Sequence, residues 1–269
     1  MYVCPQCKGP LVALACERCE LTYPEVDGIP CFVQGASGDQ SAFVRDVYDD
    51  IYSHHEDVWA DQGRSQEFMT FLSALVQPLL HGSLLEVGCG EGKLLAALPG
   101  EHKFGIDPSI HALLRAKRSS TASCAVALAE DLPFPTSAFD VVVSVGVMEH
   151  FANPDAATAE IRRVLVSGGH YVALIHTDMS RFQRLALKFK EFFVPRLRPL
   201  ALASWIKKKF WRPIRQPLRK SYTIESAQDC LQRGGLIVKR IITRQTHPAA
   251  PLAGGHVVIL VAQKKPNAS

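Results

Sequence analysis

The stretch Leu84-Leu85-Glu86-Val87-Gly88-Cys89-Gly90-Glu91-Gly92 decides how the rest of the chain is read. Leu84, Leu85 and Val87 have the apolar content of the end of a buried strand, and residues 93–98 restart at helical spacing. Between them lie three alternate glycines, Gly88, Gly90 and Gly92. Without a Cβ, glycine turns tightly and lets a ligand approach the backbone. A glycine turn that joins a strand to a helix presents free N–H groups where a nucleotide-like ligand can lie.

Three alternate glycines alone also fit an ordinary tight loop, so the flanks matter. Glu86 precedes the first glycine, and a second apolar run, residues 103–106, ends at Asp107. An acid about 20 residues past the turn, at the tip of the next strand, is placed to accept the hydroxyls of a ribose. A dinucleotide site would carry its last glycine one residue later. Farther on, apolar runs alternate with helical patterns: residues 125–129, 140–144, 171–175, 236–242 and 257–261 read as strands. Residues 109–119 and 155–166 read as helices, the second stopped by Gly168-Gly169. This alternation predicts an α/β fold with an open, mainly parallel, doubly wound sheet.

The pattern acid-x-Gly-x-Gly-x-Gly resembles motif I of the class I S-adenosylmethionine-dependent methyltransferases. Leu132-Pro133-Phe134, Phe139-Asp140-Val141-Val142, Glu149-His150-Phe151, Asn153-Pro154, Arg163-Val164-Leu165 and Gly168-Gly169 continue the resemblance in order. Its small-molecule and quinone-type branch is the nearest in appearance. The resemblance implies S-adenosylmethionine held by Glu86, Gly88, Gly90, Gly92 and Asp107, with Val145 and the lip 146–150 at its methionine end. The acid that commonly reaches the adenine amino group falls here on Leu128, which leaves apolar packing, backbone groups and Ala129, Glu130 or Asp131 as substitutes. His150 is the first candidate for a base, because it follows the fourth strand and imidazole titrates near neutrality. It equally reads as a structural histidine anchoring the loop before Asn153-Pro154. His176 comes next, with Glu149 behind it.

Ahead of this domain, Cys4-Pro5-Gln6-Cys7 and Cys16-Glu17-Arg18-Cys19 form two C-x-x-C knuckles. Each can set two thiolates on one side of a turn, and the four complete a closed tetrahedron for structural Zn²⁺. Two disulfides or a redox pair are the competing readings, and neither accounts for paired knuckles in a reducing compartment. Residues 1–34 thus read as a zinc ribbon, like the modules that accompany some methyltransferases, although Glu20 stands where such ribbons usually have glycine. Residues 41–63 look helical, with Phe43, Val47 and Ile51 as the apolar face, and residues 65–80 form a second helix. A lid over the cofactor and plain packing both suit them. His54-His55-Glu56 suits a solvated face better than a metal site, since adjacent residues diverge on a helix.

The domain from 41 to 269 carries an insert at about 177–222. Residues 181–220 hold thirteen Lys and Arg against one acid, Glu191. The whole 269-residue chain is +4, so the remainder, with 17 basic and 25 acidic residues, is −8. Phe182, Leu185, Phe189 and Phe193 line one helical face, and Trp205, Phe210 and Trp211 interleave with Lys207, Lys208, Lys209 and Arg212. Such a segment suits a substrate cap, an anionic membrane surface or single-stranded RNA.

No apolar run reaches the roughly 18 residues of a membrane span, and residues 1–7 lack the order of a signal peptide. A cytoplasmic enzyme is therefore expected, with a peripheral seat at the inner face of the membrane as a further reading. The first functional expectation is methyl transfer to a small or lipid-linked acceptor, at oxygen. An RNA-base methyltransferase using the ribbon and insert is the alternative, and a non-catalytic cofactor-binding scaffold is a third.

Overall fold

A computed structural model describes residues 2–33, 40–56, 66–98, 100–177, 220–252 and 256–266. The basic insert, residues 181–219, lies outside the described residues, as does the end of the expected first helix at residues 57–63.

The chain opens with two small hairpins. Strands β1 (Ala15–Cys16) and β2 (Leu21–Thr22) pair antiparallel, as do β3 (Glu25–Val26) and β4 (Ile29–Pro30). Two helices follow, α1 (Gln40–His54) and α2 (Gln66–Val76). The expected apolar face of α1 holds at Ile51 but not at Phe43. Phe43 is 53% exposed, whereas Ala42, Val44, Ile51 and Tyr52 are buried. Spacing of four fits Val44, Tyr48 and Tyr52 as well as Phe43, Val47 and Ile51, and the bulkier tyrosine row faces the protein.

Then come β5 (Ser83–Val87), α3 (Lys93–Ala97), β6 (His102–Asp107), α4 (Ile110–Ser119), β7 (Ser123–Val126) and β8 (Phe139–Val145). The remaining elements are α5 (Pro154–Val164), β9 (Leu165–His176), α6 (Ile224–Arg233), β10 (Leu236–Ile242) and β11 (Val257–Lys264). The helix starts are written in side chains. Ser109 accepts from Ala112 N, Asn153 caps α5 ahead of Pro154, and Thr223 and Ser226 form a capping box.

Among the described residues, seven strands make one sheet in the order β10-β11-β9-β8-β5-β6-β7, and of these β11 alone runs antiparallel to its neighbours β9 and β10. This is the open α/β sheet expected from the alternation of elements. Two boundaries differ. The third strand of the sheet ends at Val126, and residues 129–131 form a single 3-10 turn. The fifth starts at Leu165, so Gly168-Gly169 lies inside it rather than stopping α5. Gly168 takes φ +76° there, where the register against β8 jumps from Leu165 to His170.

Strands β5, β6 and β7 step to one side and β8 and β9 to the other, so the sheet reverses direction between β5 and β8. Ligands of open α/β sheets bind beyond the carboxyl ends of the strands at such a point. The ribbon closes the far edge. Cys31 bridges Val126 in parallel, Phe32 N donates to Val126 O at 2.8 Å, and Tyr2 packs its ring on Phe32 and Phe134. Cys4, Cys16, Tyr23 and Phe32 share a core cluster with Leu85, Phe134 and Phe139.

Candidate functional site

The glycine turn leaves β5 with Gly88, Gly90 and Gly92 at φ +70°, +51° and +73°. Gly88 N and Cys89 N donate to Ile106 O, which binds the turn to the end of β6. A Cβ on Gly88 would lie 2.5 Å from Val147 Cγ2, and one on Gly90 would lie 2.8 Å from the Tyr52 hydroxyl. Glycine is thus required both by backbone conformation and by close approach.

Asp107, 5% exposed, ends β6. Its Oδ2 accepts from Gly90 N at 2.9 Å and its Oδ1 from Ser109 N at 3.0 Å. These bonds fix the carboxylate at the end of β6, against the glycine turn. Ser109 Oγ donates to Asp49 Oδ1 at 2.7 Å, while Arg115 joins the Tyr52 and His55 carbonyls to Glu91. Helix α1 is thereby fastened along the turn.

Around these groups opens a cleft of about 1140 Å³, measured out to its mouth. Val44, Tyr48 and Tyr52 of α1 form one wall. Ile106, Ala127, Leu128 and Ala129 line the cleft with apolar side chains next to Asp107 and Glu130. Glu130 Oε1 accepts from Asn153 N at 3.1 Å. Burial raises its carboxyl, opposed by backbone N–H groups of residues 153, 130 and 152. Glu130 therefore ties down the 151–153 loop as well as lining the cleft.

Of the residues expected to hold a cofactor, Gly88, Asp107, Ala129, Glu130 and Val145 line the cleft. Glu86, Gly90 and Gly92 do not. Glu86 is fully buried within β5, between Gly105 and Val143 in the sheet, and Gly90 lies beneath Tyr52. These three shape the turn from behind. Tyr48 and Tyr52, on the helix that suited a lid or plain packing, line the cleft too, and Pro251 and Leu252 add lining residues that were not expected. Tyr48 sits one turn ahead of Tyr52, a spacing that could have marked the wall; the two residues ahead of β11 leave no such signature.

His150 and His176 both reach the cleft, and Tyr48 meets the His150 ring edge-on at 6.4 Å. Glu149 does not line it: at 1% exposure it sits behind His176. Its Oε1 accepts from His176 Nδ1 at 2.9 Å and also from His176 N. Burial pushes the Glu149 carboxyl up, but the hydrogen bonds from His176 prevail and hold it below the usual glutamate value.

The ends of the basic insert are described. Thr177, next to His176, bridges Tyr222 in parallel. Lys220 N donates to Glu149 O at 2.7 Å, and its ammonium to Ala152 O at 2.8 Å. The insert leaves and rejoins the sheet at the His150–His176 end of the cleft.

At the N-terminus, the sulfurs of Cys4, Cys7, Cys16 and Cys19 all lie within 4.8 Å of one another, and all four thiols are free. Cys4 and Cys19 sulfurs are 3.9 Å apart, and Cys7 and Cys16 sulfurs 3.5 Å. A tetrahedron with Zn–S of about 2.3 Å has edges of about 3.8 Å, so the donor set fits that ion. Glu20, at φ +54°, adopts the left-handed conformation that glycine would take, so the second knuckle closes without one.

Residues 85–173 match the family described as Methyltransferase domain. The fold, the glycine turn and this match define the class: the chain carries an S-adenosylmethionine-dependent methyltransferase domain of class I fold. A Burkholderia thailandensis 1,6-didemethyltoxoflavin-N1-methyltransferase with bound S-adenosylhomocysteine shares that fold. Its TM-score is 0.58 at 15% identity, over 91% of this chain and 94% of that one. In sequence, the chain is 35% identical over 163 residues to a tRNA (carboxymethyluridine(34)-5-O)-methyltransferase, alkbh8, of Xenopus tropicalis. That match covers 58% of this chain and 24% of the relative. It is 30% identical over 161 residues to a tRNA U34 carboxymethyltransferase of Methylococcus capsulatus, covering 54% of this chain and 49% of the relative. The chain thus spans at most about half the length of these relatives. Among the described residues, no helix is long and apolar enough to cross a membrane.

Proposed function

We propose that this chain transfers the methyl group of S-adenosylmethionine to a nucleotide of tRNA, with Zn²⁺ stabilising the ribbon. The carrying observation is where the basic insert begins and ends. Thr177 follows His176, and Lys220 is bonded to the backbone of Glu149 and Ala152. Thirteen cations interleaved with aromatic rings thus start and finish at the acceptor end of the cleft. Cations meet phosphates and rings stack on bases, which is the chemistry single-stranded RNA offers. The names of the two curated relatives favour this reading over the small or lipid-linked acceptor, and lend nothing to a membrane surface. Oxygen remains the expected accepting atom, in keeping with the name of the Xenopus relative.

When bound, S-adenosylmethionine supplies an electrophilic methyl group. Asp107 would hold the ribose and Gly88 the backbone approach, while the apolar side chains of Ile106, Ala127 and Leu128 would take the adenine. Val145 and the 146–150 lip would hold the methionine end. Little covalent help is needed from the protein, whose work is alignment and exclusion of water. Tyr48 and Tyr52 close the wall that excludes solvent, and His150 and His176 face the accepting group.

Incubating the protein with labelled S-adenosylmethionine and total tRNA should place label in a single nucleoside after digestion. Replacing Lys207, Lys208 and Lys209 with glutamine should flatten the salt dependence of tRNA binding, its slope falling by about 2 to 3. Label appearing in lipid or small-molecule extracts and not in tRNA would overturn the RNA acceptor. Cofactor binding without transfer to any fraction would favour the scaffold instead.

A further inference from the structure

The pairing of Glu149 with His176 goes beyond placing an imidazole in the cleft. Two donors of one residue, the backbone N–H and Nδ1, converge on a single buried oxygen, Glu149 Oε1. Such a chelate fixes both the position of the ring and its rotation. Oε1 already accepts the backbone N–H of His176, and a carboxylate oxygen in that role meets Nδ1 as a second donor, the form in which Nδ1 carries the hydrogen. The other oxygen, Oε2, is buried with no hydrogen-bond partner among the described residues. A buried carboxylate with half its capacity unused is costly to keep, so its retention calls for a compensating role.

The surroundings leave the ring little freedom. Gly146, at φ +66°, passes the ring so closely that a Cβ there would stand 3.3 Å from Cε1. His256 flanks it, with ring centroids 6.1 Å apart. The residue after His176 is tied by its N–H to His256 O at 2.7 Å, and Glu149's own carbonyl is tied to Lys220 N. Both members of the pair are thus clamped where the basic insert begins and ends.

We propose that Glu149 is a positioning residue that holds His176 as the Nδ1–H form, so that Nε2 is the ring nitrogen that meets the accepting group. This rests on the methyl-transfer reading of the cleft.

The first test needs no substrate. In protein labelled with ¹⁵N-histidine, the ¹⁵N shifts and long-range proton couplings of His176 should report a protonated Nδ1, and Glu149→Gln should mix the two tautomers. A wild-type ring already mixed, or protonated on Nε2 alone, would overturn the proposal whether or not the variant folds. The second test uses tritiated S-adenosylmethionine and total tRNA. Glu149→Gln should lower kcat by about 10- to 100-fold, as loss of a carboxylate behind a functional imidazole does. KM for both substrates should stay within about twofold, and Glu149→Asp should recover part of the loss. Unchanged kcat in a variant that still binds S-adenosylhomocysteine would sink the positioning role. Failure of the wild-type protein to bind S-adenosylhomocysteine would instead strike the underlying cofactor reading, so the two failures are separable.

Discussion

The cysteine ribbon and the glycine turn are both short motifs, yet the protein holds them in opposite ways. The ribbon has four strands of two residues each, too few ladder bonds to stand alone. Its sulfurs are gathered at the spacing of a tetrahedral ion, and its aromatic residues are lent to the core of the neighbouring domain. The turn is the reverse case. The sheet fixes it through Ile106 O and Asp107, and Cys89 is its one side chain in the core cluster. Where a motif borrows a core, damage should appear as lost stability. Where a core presents a motif, damage should appear as lost binding.

The largest effect should come from the ribbon. The intact protein should carry one zinc per chain, and Cys16→Ser or a strong chelator should remove it. Freed of the ion, the ribbon would release Tyr23 and Phe32 and uncover the β7 edge. The thermal midpoint should fall by about 10 °C or more. Elemental analysis paired with a thermal scan checks this. A zinc-free protein with an unchanged midpoint would make the ribbon a passenger and break the contrast.

Asp107→Asn should act on the other side. The amide keeps one acceptor for the backbone N–H of Gly90 or Ser109 but loses the charge that grips ribose hydroxyls. Calorimetry should show affinity for S-adenosylhomocysteine reduced by about 10- to 100-fold, with the thermal midpoint of the ligand-free protein moved by only a few degrees. Unchanged affinity would remove Asp107 from the ribose site.

These two motifs were legible because each needs particular residue types at fixed spacing. Four thiols in two knuckles, and an acid-flanked glycine turn followed by Asp107, leave few other structures open. The sheet was legible from the alternation of apolar runs and helical patterns, though not its finer breaks. Gly168-Gly169 looked like a helix stop, because a bulge inside a strand and a C-cap both use left-handed glycine. Position within a face was harder still. Periodicity gave α1 an apolar row but not which of two adjacent rows turns inward. Glu86 keeps its motif position yet lies buried in β5, and spacing does not encode that burial. The Glu149–His176 bond joins residues 27 apart, brought together only by the pairing of β8 with β9.

The smallest effect concerns the seam between the ribbon and the sheet, and it sharpens the comparison by titrating one contact. Lys8, beside the first knuckle, pairs with Glu160 of α5 at 2.7 Å. Glu160 also accepts from Leu132 N at 2.9 Å and pairs with Arg163 at 2.6 Å, and Asp131 is the further acid of this group. Burial pushes the Glu160 carboxyl up, but Arg163 and then Lys8 outweigh it and hold it below its ordinary value of 4.5. A carboxyl lowered in the folded state binds its proton more readily when unfolded. Its stabilisation is therefore complete at neutral pH and is lost as pH falls below about 4.5 and through the folded value. Glu160→Gln should cost about 1–2 kcal/mol at pH 7, read as a lower urea midpoint. The difference between the two proteins should shrink toward zero as the pH drops through that window. A constant difference across it would mean that the seam is held by packing of Tyr2, Phe32 and Phe134 alone, with the charges adding nothing.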